Sequence, residues 1–362
     1  MKALILPKDY CSNDVLHQEE SQLFAGVWNF VGFKSSLENF DDFLTVEVAG
    51  IPVVVQNCKG KIRGFKNICS HRHSIIQVEG AGNRPLLCPY HGWAYNENGI
   101  PNGIPKKPLF KFSKEEIQCL KLQEYRVEFC GSLVFINISD SEESLENYLG
   151  DLFPEIEKMS SNFGDLLDVN SMEIQANWKI LVENTLESYH VNLIHEETFK
   201  KLGAGGMNFS FIDNHSVWDA TLITQENEGK SAKVHRPFQD REYVIEGYKH
   251  LIIFPNVLIS TTYGVSFNLS VIKPLNENTS LFISYVFITK TPSRNDNDSI
   301  PSIGEKIYRQ SLVDFNRKVF DEDKQICEKV QLGVKHSHMS GELSDEEARV
   351  CEFQKKYQKY LS

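Results

Sequence analysis

Two short loops, each with one cysteine and one histidine, constrain the fold of this chain more than any other feature. They read CSH at 69–71 and CPYH at 88–91, with 16 residues between His71 and Cys88. Two thiolates and two imidazoles suit either a structural zinc ion or a [2Fe–2S] cluster in which histidines hold one iron. Because structural zinc usually takes two cysteines from one loop and two histidines from the other, the mixed loops favour the cluster.

A second group of metal-binding residue types lies in the stretch 177–195, which reads NWKILVENTLESYHVNLIH. Glu187 precedes His190 by three residues, and the two would share one face of a helix predicted around 178–199. His195 follows five residues after His190, which corresponds to about 500° of helical rotation, so the rings would point some 140° apart. The helix must therefore bend or end between the two histidines if both bind one metal. The alternative for Glu187 and His190 is an ion pair on a helix surface.

A carboxylate that could join the histidines lies on a long helix predicted over 303–332, after a polar turn at 291–298. Asp323 has Val319, Ile326, Cys327 and Val330 as its helical neighbours, so it would lie on the apolar face. A buried, unpaired carboxylate is costly, and a metal partner would explain it. Two histidines and one carboxylate leave coordination positions open for oxygen. A helix assignment displaced by one residue remains an open alternative.

Together, these stretches closely resemble the terminal oxygenase (α) subunit of the Rieske non-haem iron oxygenases, the aromatic-ring-hydroxylating and quaternary-ammonium-oxidising family. The resemblance covers nearly the whole chain. It rests on the two Cys/His loops, with Pro89 and Gly92-Trp93 around the second, on the NWK, EN and ExxH elements of 177–195, and on the acidic helix with Gln331 and Gly333.

The resemblance implies two metal centres. A [2Fe–2S] cluster would be bound by Cys69, His71, Cys88 and His91. A mononuclear Fe(II) would be bound by His190, His195 and Asp323. Glu187 would be the carboxylate that bridges His190 to a cluster histidine of a neighbouring subunit and carries electrons between subunits. His73 stands where the family usually has a small residue, and we interpret it as a surface or supporting residue.

The implied fold is α+β. A small all-β Rieske domain at 41–150 would be followed by a larger helix-grip-like catalytic domain at 151–362, in which an antiparallel sheet carries a C-terminal helix. Residues 1–40 would form an N-terminal segment that packs on the catalytic domain.

The implied function is that of a terminal oxygenase component. It would use O2 and electrons from an NAD(P)H-dependent flavin and iron–sulfur reductase, directly or through a ferredoxin, to hydroxylate or oxidatively demethylate a small organic substrate. Arene dioxygenases usually have aspartate at the bridging position, so Glu187 favours the quaternary ammonium branch. An arene ring-hydroxylating dioxygenase is the alternative, and a non-enzymatic Rieske electron carrier is an alternative of another class. The length of 362 residues suggests a homotrimer without β subunits.

Composition excludes several partners. The net charge of −11 argues against nucleic acid or anionic membrane as a partner. No run of 18 apolar residues exists, so no membrane span is expected. Eight scattered cysteines without a secretory signal predict a cytoplasmic protein with reduced thiols or thiolate ligands.

The substrate pocket is expected among strands between 200 and 290. Its aromatic residues could form a box for a quaternary ammonium group or ordinary core. These are Phe209, Phe211, Trp218, Phe254, Tyr263 and Phe267. Three histidines in the same region, His215, His235 and His250, are interpreted as structural or surface residues.

Overall fold

The computed structural model describes residues 1–78, 80–203, 205–222, 235, 238, 242–290 and 303–362, so the polar turn predicted at 291–298 lies outside it. Contacts divide the chain into a larger unit, Met1–His17 with Leu149–Ser362, and a smaller unit, Gln18–Tyr148. We had placed the first boundary at residue 40, but Asn29–Phe33 pairs as a strand with Leu133–Asn137 in the smaller unit. Of the predicted N-terminal segment 1–40, only residues 1–17 belong to the larger unit.

The smaller unit contains a seven-stranded antiparallel sheet in the order β1-β9-β8-β4-β3-β2-β5 and a two-stranded ribbon, β6-β7. Its strands are β1 Asn29–Phe33, β2 Asp42–Val48, β3 Ile51–Cys58, β4 Lys61–Lys66, β5 Ala81–Asn83, β6 Ala94–Tyr95, β7 Pro101–Gly103, β8 Glu124–Cys130 and β9 Leu133–Asn137.

Two tight hairpins set the register of β2, β3 and β4. Ala49 and Gly50 both have positive φ (50° and 72°) between the paired residues Val48 and Ile51. Lys59 and Gly60 repeat this between β3 and β4, with φ of 56° and 88°. Two consecutive left-handed residues are the geometry that matches the twist of a two-residue hairpin. The rigid sheet supports the two Cys/His loops at its end.

The larger unit contains a second seven-stranded antiparallel sheet, in the order β10-β16-β15-β14-β13-β12-β11. Its strands are β10 Phe163–Ile174, β11 Phe209–Ile212, β12 His215–Ala220, β13 Tyr248–Ile253, β14 Val257–Thr262, β15 Ser266–Asn276 and β16 Thr279–Thr289. The α-helices described along the chain are α1 Asn13–Gln18, α2 Lys114–Cys119, α3 Leu145–Leu149, α4 Phe153–Ser161, α5 Trp178–Thr185, α6 Val191–Ile194, α7 Phe199–Leu202, α8 Ile303–Val334 and α9 Ala348–Leu361.

The long helix α8, predicted over 303–332, lies against the edge of the second sheet. Phe320 packs on Phe282 of β16 with ring centroids 4.5 Å apart, and Arg317 forms a two-pronged ion pair with Asp168 of β10. An antiparallel sheet with a long C-terminal helix confirms the predicted α+β class. Within the described parts of the chain, no helix is both long and apolar enough to cross a bilayer.

Candidate metal centres

The helix predicted around 178–199 is interrupted, as binding of one metal by both histidines would require. Asn177 caps α5, with its side chain accepting a hydrogen bond from the Lys179 backbone nitrogen at 3.0 Å, and α5 ends at Thr185. The chain is non-helical before α6 begins at Val191. The longer break precedes His190, and α6 ends at Ile194, so a helix also ends between the two histidines as expected. A helix boundary here has no Gly or Pro to mark it, so the sequence offered no local signal.

This break brings the two imidazoles together. The Nε2 atoms of His190 and His195 lie 3.2 Å apart. Oδ1 of Asp323, from α8, lies 3.1 Å from Nε2 of His195 and 3.6 Å from Nε2 of His190. Ligand atoms at about 2.1 Å from one metal ion, at right angles, would be roughly 3 Å from each other. The three atoms therefore converge as ligands of one ion would.

Asp323 occupies the position that its helical neighbours predicted. Val319 and Cys327 are buried, and Asp321 is exposed. Val330, two turns further on, is exposed rather than apolar core. The register that puts Asp323 toward the histidines is thus correct, and the displaced alternative is wrong.

Two further side chains orient this group. Asn184 donates a hydrogen bond from Nδ2 to Oδ1 of Asp323 at 2.8 Å, which satisfies part of the hydrogen-bonding capacity of this carboxylate. Oε2 of Glu322 lies 2.7 Å from Nδ1 of His195 and accepts a second bond from the hydroxyl of Thr198 at 2.8 Å. The proton on Nδ1 then leaves the Nε2 lone pair free, as a metal ligand requires. Sequence reasoning missed Glu322, although its position next to Asp323 was the available signal.

Negative charge dominates the electrostatics of this group. Burial by itself would lower the pKa of His195, but hydrogen bonds and charge from Asp323 and Glu322 outweigh it and raise the pKa. A site whose carboxylates favour a protonated ring also favours a bound cation.

Glu187 contacts His190 although the four residues from 187 to 190 are not helical. One carboxylate oxygen accepts from the His190 backbone nitrogen at 3.2 Å, and the other forms a hydrogen bond with Nδ1 of the same ring. Glu187 thus fixes the tautomer of His190 as Glu322 does for His195. The alternative of an ion pair on a helix surface is wrong, because only 13% of the Glu187 side chain and 16% of the His190 side chain are exposed.

The three converging residues line a cavity whose wall has both aromatic and polar side chains. The aromatic lining residues are Phe199, Trp218, Tyr248, Phe315 and Phe320. The polar wall that the sheet contributes consists of His250, Ser260 and Asn268, which are in register across β13, β14 and β15, and of Ser270.

Most of the predicted pocket aromatics lie elsewhere. Trp218 lines the cavity, and Phe267 lines an adjoining one. Phe211 is exposed, Phe254 packs against Tyr360 of α9, and Tyr263 packs in the core beside His235. Phe209 packs at the edge of the same core. His250, which we had interpreted as structural or surface, is buried and also lines the cavity.

In the smaller unit, the two Cys/His loops have the same backbone pattern. The nitrogen of Cys69 donates to the Ser74 carbonyl at 2.8 Å, and the Cys69 carbonyl accepts from His73 at 3.0 Å. Cys88 repeats both bonds, with Trp93 and Gly92 as partners at the same distances. His73 and Gly92 are therefore equivalent positions, and both have positive φ (59° and 70°). This explains why a small residue suits the position of His73.

The four candidate cluster residues converge on the tip of these loops. Cys69 and Cys88 are buried, and the His71 and His91 rings are 4.7 Å apart. His71 stacks on Trp93 with parallel rings. Nδ1 of His71 is buried and has no hydrogen-bond partner among the described residues. A buried ring nitrogen without a partner is costly unless it binds a metal, so the donor set fits a cluster with two histidine ligands.

Tyr95 adds a contact that the sequence did not indicate. Its hydroxyl donates to Sγ of Cys69 at 3.1 Å and accepts from the Ser70 backbone nitrogen at 3.0 Å. Hydrogen bonds to cluster sulfurs are a principal control of cluster potential.

Both halves of the chain match known families. Residues 27–120 match the Rieske [2Fe-2S] domain, and residues 163–362 match the catalytic domain of the ring hydroxylating alpha subunit. The chain is similar to the carnitine monooxygenase oxygenase subunit of Acinetobacter pittii, with 24% identity over 93% of this chain and 91% of that protein. It is also 33% identical to the 2-aminobenzenesulfonate 2,3-dioxygenase subunit alpha of an Alcaligenes species, over 50% of this chain and only 47% of that protein.

Solved structures show the same fold. A quaternary ammonium Rieske monooxygenase in complex with L-carnitine matches with a TM-score of 0.75 and 20% identity, over all of this chain and 96% of that one. Naphthalene 1,2-dioxygenase with indole bound matches with a TM-score of 0.72 and 22% identity, over 98% of this chain and 91% of that one. The chain therefore belongs to the ring-hydroxylating α-subunit family of Rieske non-haem iron oxygenases, in which a [2Fe–2S] domain is joined to a catalytic domain with a mononuclear iron site.

Proposed function

We propose that this chain is the terminal oxygenase component that uses O2 and reductase-derived electrons to hydroxylate or oxidatively demethylate a small organic substrate. The observation that carries the proposal is the convergence of His190, His195 and Asp323 on one point in the wall of an aromatic-lined cavity. An electron carrier needs no second metal site and no cavity beside it, so that alternative is not favoured.

The proposed ligands follow from the donor atoms. Nε2 of His190, Nε2 of His195 and the Asp323 carboxylate would hold Fe(II), and Cys69, His71, Cys88 and His91 would hold the cluster. When bound, the cluster supplies single electrons and the iron supplies open positions for oxygen chemistry. Asn184, Glu187 and Glu322 position the iron ligands through hydrogen bonds.

Glu187 is the proposed electron-transfer bridge between subunits of a homotrimer. Its carboxylate holds the outer nitrogen of His190, and a carboxylate has capacity for about four hydrogen bonds. A cluster histidine of a neighbouring subunit could therefore share it without displacing His190. Such a bridge would link the two metal centres through two imidazoles and one carboxylate.

A quaternary ammonium compound is the proposed substrate class. Trp218, Tyr248 and Phe199 form successive edge-to-face contacts, with centroids 5.7 and 5.5 Å apart, on the cavity wall. Such a wall attracts a cation through ring quadrupoles. Similarity to carnitine monooxygenase subunits over nearly the full length, together with a glutamate at position 187, supports the same class. An arene is the second candidate, supported by the 33% identity to an arene dioxygenase subunit.

The proposed partner is a reductase with flavin and an iron–sulfur centre, acting directly or through a ferredoxin. It would deliver single electrons to the cluster, and the exposed His91 ring offers the exit toward the catalytic iron. A cytoplasmic location is consistent with eight cysteines that form no disulfide.

Reconstitution with a reductase tests the proposal. Iron analysis and EPR should give a Rieske signal and one additional iron per chain. A panel of betaines, arenes and carboxylates should be scored by oxygenated product rather than by NADH loss, because uncoupled oxygen reduction also consumes NADH. Zinc alone, or no product from any class in a protein with full iron content, would contradict the proposal.

A further inference from the structure

A buried guanidinium lies behind the polar wall of the cavity. Arg349 of α9 is 1% exposed, and no carboxylate forms an ion pair with it among the described residues. Burial lowers the pKa of Arg349 to about 9, so it remains charged at neutral pH. A buried charge without a counter-charge is destabilising, and its presence here needs an explanation.

The hydrogen bonds of Arg349 fix the protonation of a neighbouring ring. Its guanidinium donates to Oγ and the carbonyl of Ser216 at 2.9 and 3.3 Å, and to Nδ1 of His250 at 3.1 Å. Because a guanidinium has no acceptor, Nδ1 of His250 must be the acceptor. Burial and the charge of Arg349 lower the pKa of His250 well below its usual range, so the ring is neutral. Its single proton is therefore on Nε2.

This Nε2–H group is available to the cavity. His250 is 7% exposed and lines the same cavity as His190, His195 and Asp323. The described residues offer Nε2 no hydrogen-bond partner. The cavity thus holds an oriented donor, polarised by a cation directly behind it. Within the described parts of the chain, no acidic side chain contacts either residue.

We propose that His250, positioned by Arg349, is a specificity-determining residue that donates to an anionic oxygen, a carboxylate or sulfonate, of the substrate. The proposal rests on the proposed function, since it assigns the substrate class of the same cavity. An oxyanion at this point would accept a charge-assisted hydrogen bond and provide the missing counter-charge for Arg349. A quaternary ammonium substrate would then be a zwitterion, and an arene substrate would be an arene acid.

Two substitutions at one position separate the parts of this arrangement. In His250→Asn, the amide oxygen can replace Nδ1 as the acceptor for Arg349, while the Nε2 donor is lost. In His250→Gln, the amide group reaches the former position of Nε2 and can restore a donor there. His215→Asn is the matched control, because Nδ1 of His215 also accepts a hydrogen bond, from the Phe254 backbone nitrogen at 3.1 Å.

Calorimetric titration of the metal-loaded protein provides the test. The probes are benzoate, benzenesulfonate and benzamide, and γ-butyrobetaine with its carboxamide. Hydrogen bonds to charged groups contribute about 1.5–3 kcal/mol, so at least one acid should bind about tenfold or more tightly than its amide. His250→Asn should remove this preference, His250→Gln should recover part of it, and His215→Asn should keep it.

The inference is overturned if no acid binds more tightly than its amide in the wild-type protein, or if His250→Asn keeps the wild-type ratio. If the Asn variant yields no folded protein, the wild-type ratio and the Gln variant decide. Oxygenated product from neutral substrates without any acid preference would overturn this inference alone. Acid preference without product from any substrate would overturn the proposed function alone.

Discussion

Glu322 holds the outer nitrogen of His195, with Oε2 and Nδ1 2.7 Å apart. Its neighbour on α8, Asp323, contacts the opposite nitrogen of the same ring at 3.1 Å. Successive side chains on a helix diverge by about 100°, so two adjacent acids can reach the two sides of one imidazole. One carboxylate orients the ring and the other joins it at the proposed metal position.

Glu322→Gln should weaken iron binding at the mononuclear site. The glutamine amide can present either its oxygen or its NH2 group to Nδ1 of His195. It therefore no longer fixes the proton of His195 on Nδ1. Loss of such an orienting partner typically costs 10- to 100-fold in metal affinity or activity. Iron retained per chain after dialysis against graded chelator measures the effect. Asp321→Asn is the control, since Asp321 is exposed on the same helix. Equal iron affinity in the Glu322→Gln and wild-type proteins would contradict the orienting role.

Asp323→Ala should abolish the mononuclear site and leave the cluster intact. The substitution removes a carboxylate that contacts both histidine Nε2 atoms. Iron content should fall by one per chain, while the Rieske EPR signal keeps its intensity. Asn184→Ala, which removes a hydrogen bond to Asp323 and no ligand, should reduce affinity less. Full iron content in Asp323→Ala would show that another group binds the metal.

Glu187→Ala should separate metal content from turnover. Glu187 contacts His190 only at the outer nitrogen and the backbone, so both metals should remain. Product formation coupled to reductase oxidation should fall by at least 100-fold if the carboxylate links the centres. The control is Glu196→Ala, at an exposed residue paired with Lys200. Normal coupled turnover in Glu187→Ala would exclude the bridging role.

Tyr95→Phe should lower the reduction potential of the cluster. In the wild-type protein, the hydrogen bond to Cys69 stabilises the reduced cluster more than the oxidised cluster, because the added electron increases the negative charge on the sulfur. The substitution removes this stabilisation. If this difference is about 1.4 kcal/mol, the potential falls by ~60 mV for a one-electron couple. Protein-film voltammetry measures it. Tyr125→Phe makes the same change in the same unit away from the loops and should leave the potential unchanged. A potential that stays constant or rises in Tyr95→Phe would contradict this assignment.

Glu183→Gln should flatten the dependence of stability on pH. Burial raises the pKa of Glu183 from 4.5 to about 7, against hydrogen bonds from Gln354 and Tyr10 that lower it. The folded state therefore binds more protons than the unfolded state between these values, so stability falls as pH rises from about 4.5 to 7. The loss from this group is about 3 kcal/mol.

Denaturant midpoints at several pH values between 4.5 and 8 measure this dependence. Glutamine keeps an acceptor for the Tyr10 hydroxyl and does not titrate, so the variant should gain stability relative to wild type toward pH 8. Glu157→Gln, at an exposed residue of α4, is the control. Parallel pH profiles for the Glu183→Gln and wild-type proteins would show that Glu183 has an ordinary pKa.

Sequence reasoning was most accurate where the chemistry is local. The CSH and CPYH loops hold their residue types within three or four positions, so their donor set could be recognised without tertiary information. Asp323 could be selected from three adjacent acids because helical periodicity distinguishes the buried face from the exposed one.

The same reasoning failed where local pattern and packing disagree. The sequence predicted a helix around 178–199 with a bend after His190, but the chain already leaves the helix after Thr185, and both imidazoles reach α8. The pocket prediction followed aromatic composition and so included Phe254, whose ring packs on Tyr360 in the core. It omitted His250, because alternation along a strand does not reveal which face covers a cavity.

The sequence by itself determined the α+β class and the family and predicted the two donor sets, because ligand type, spacing and helical phase are properties of neighbouring residues. Only the tertiary structure decided that Glu322 orients His195, that Tyr95 donates to Cys69 and that Arg349 lies behind His250. Each of these contacts joins residues that are distant in the chain. Their side chains are in contact because strand register and helix packing bring them together, and no pattern of neighbouring residues in the sequence predicts these contacts.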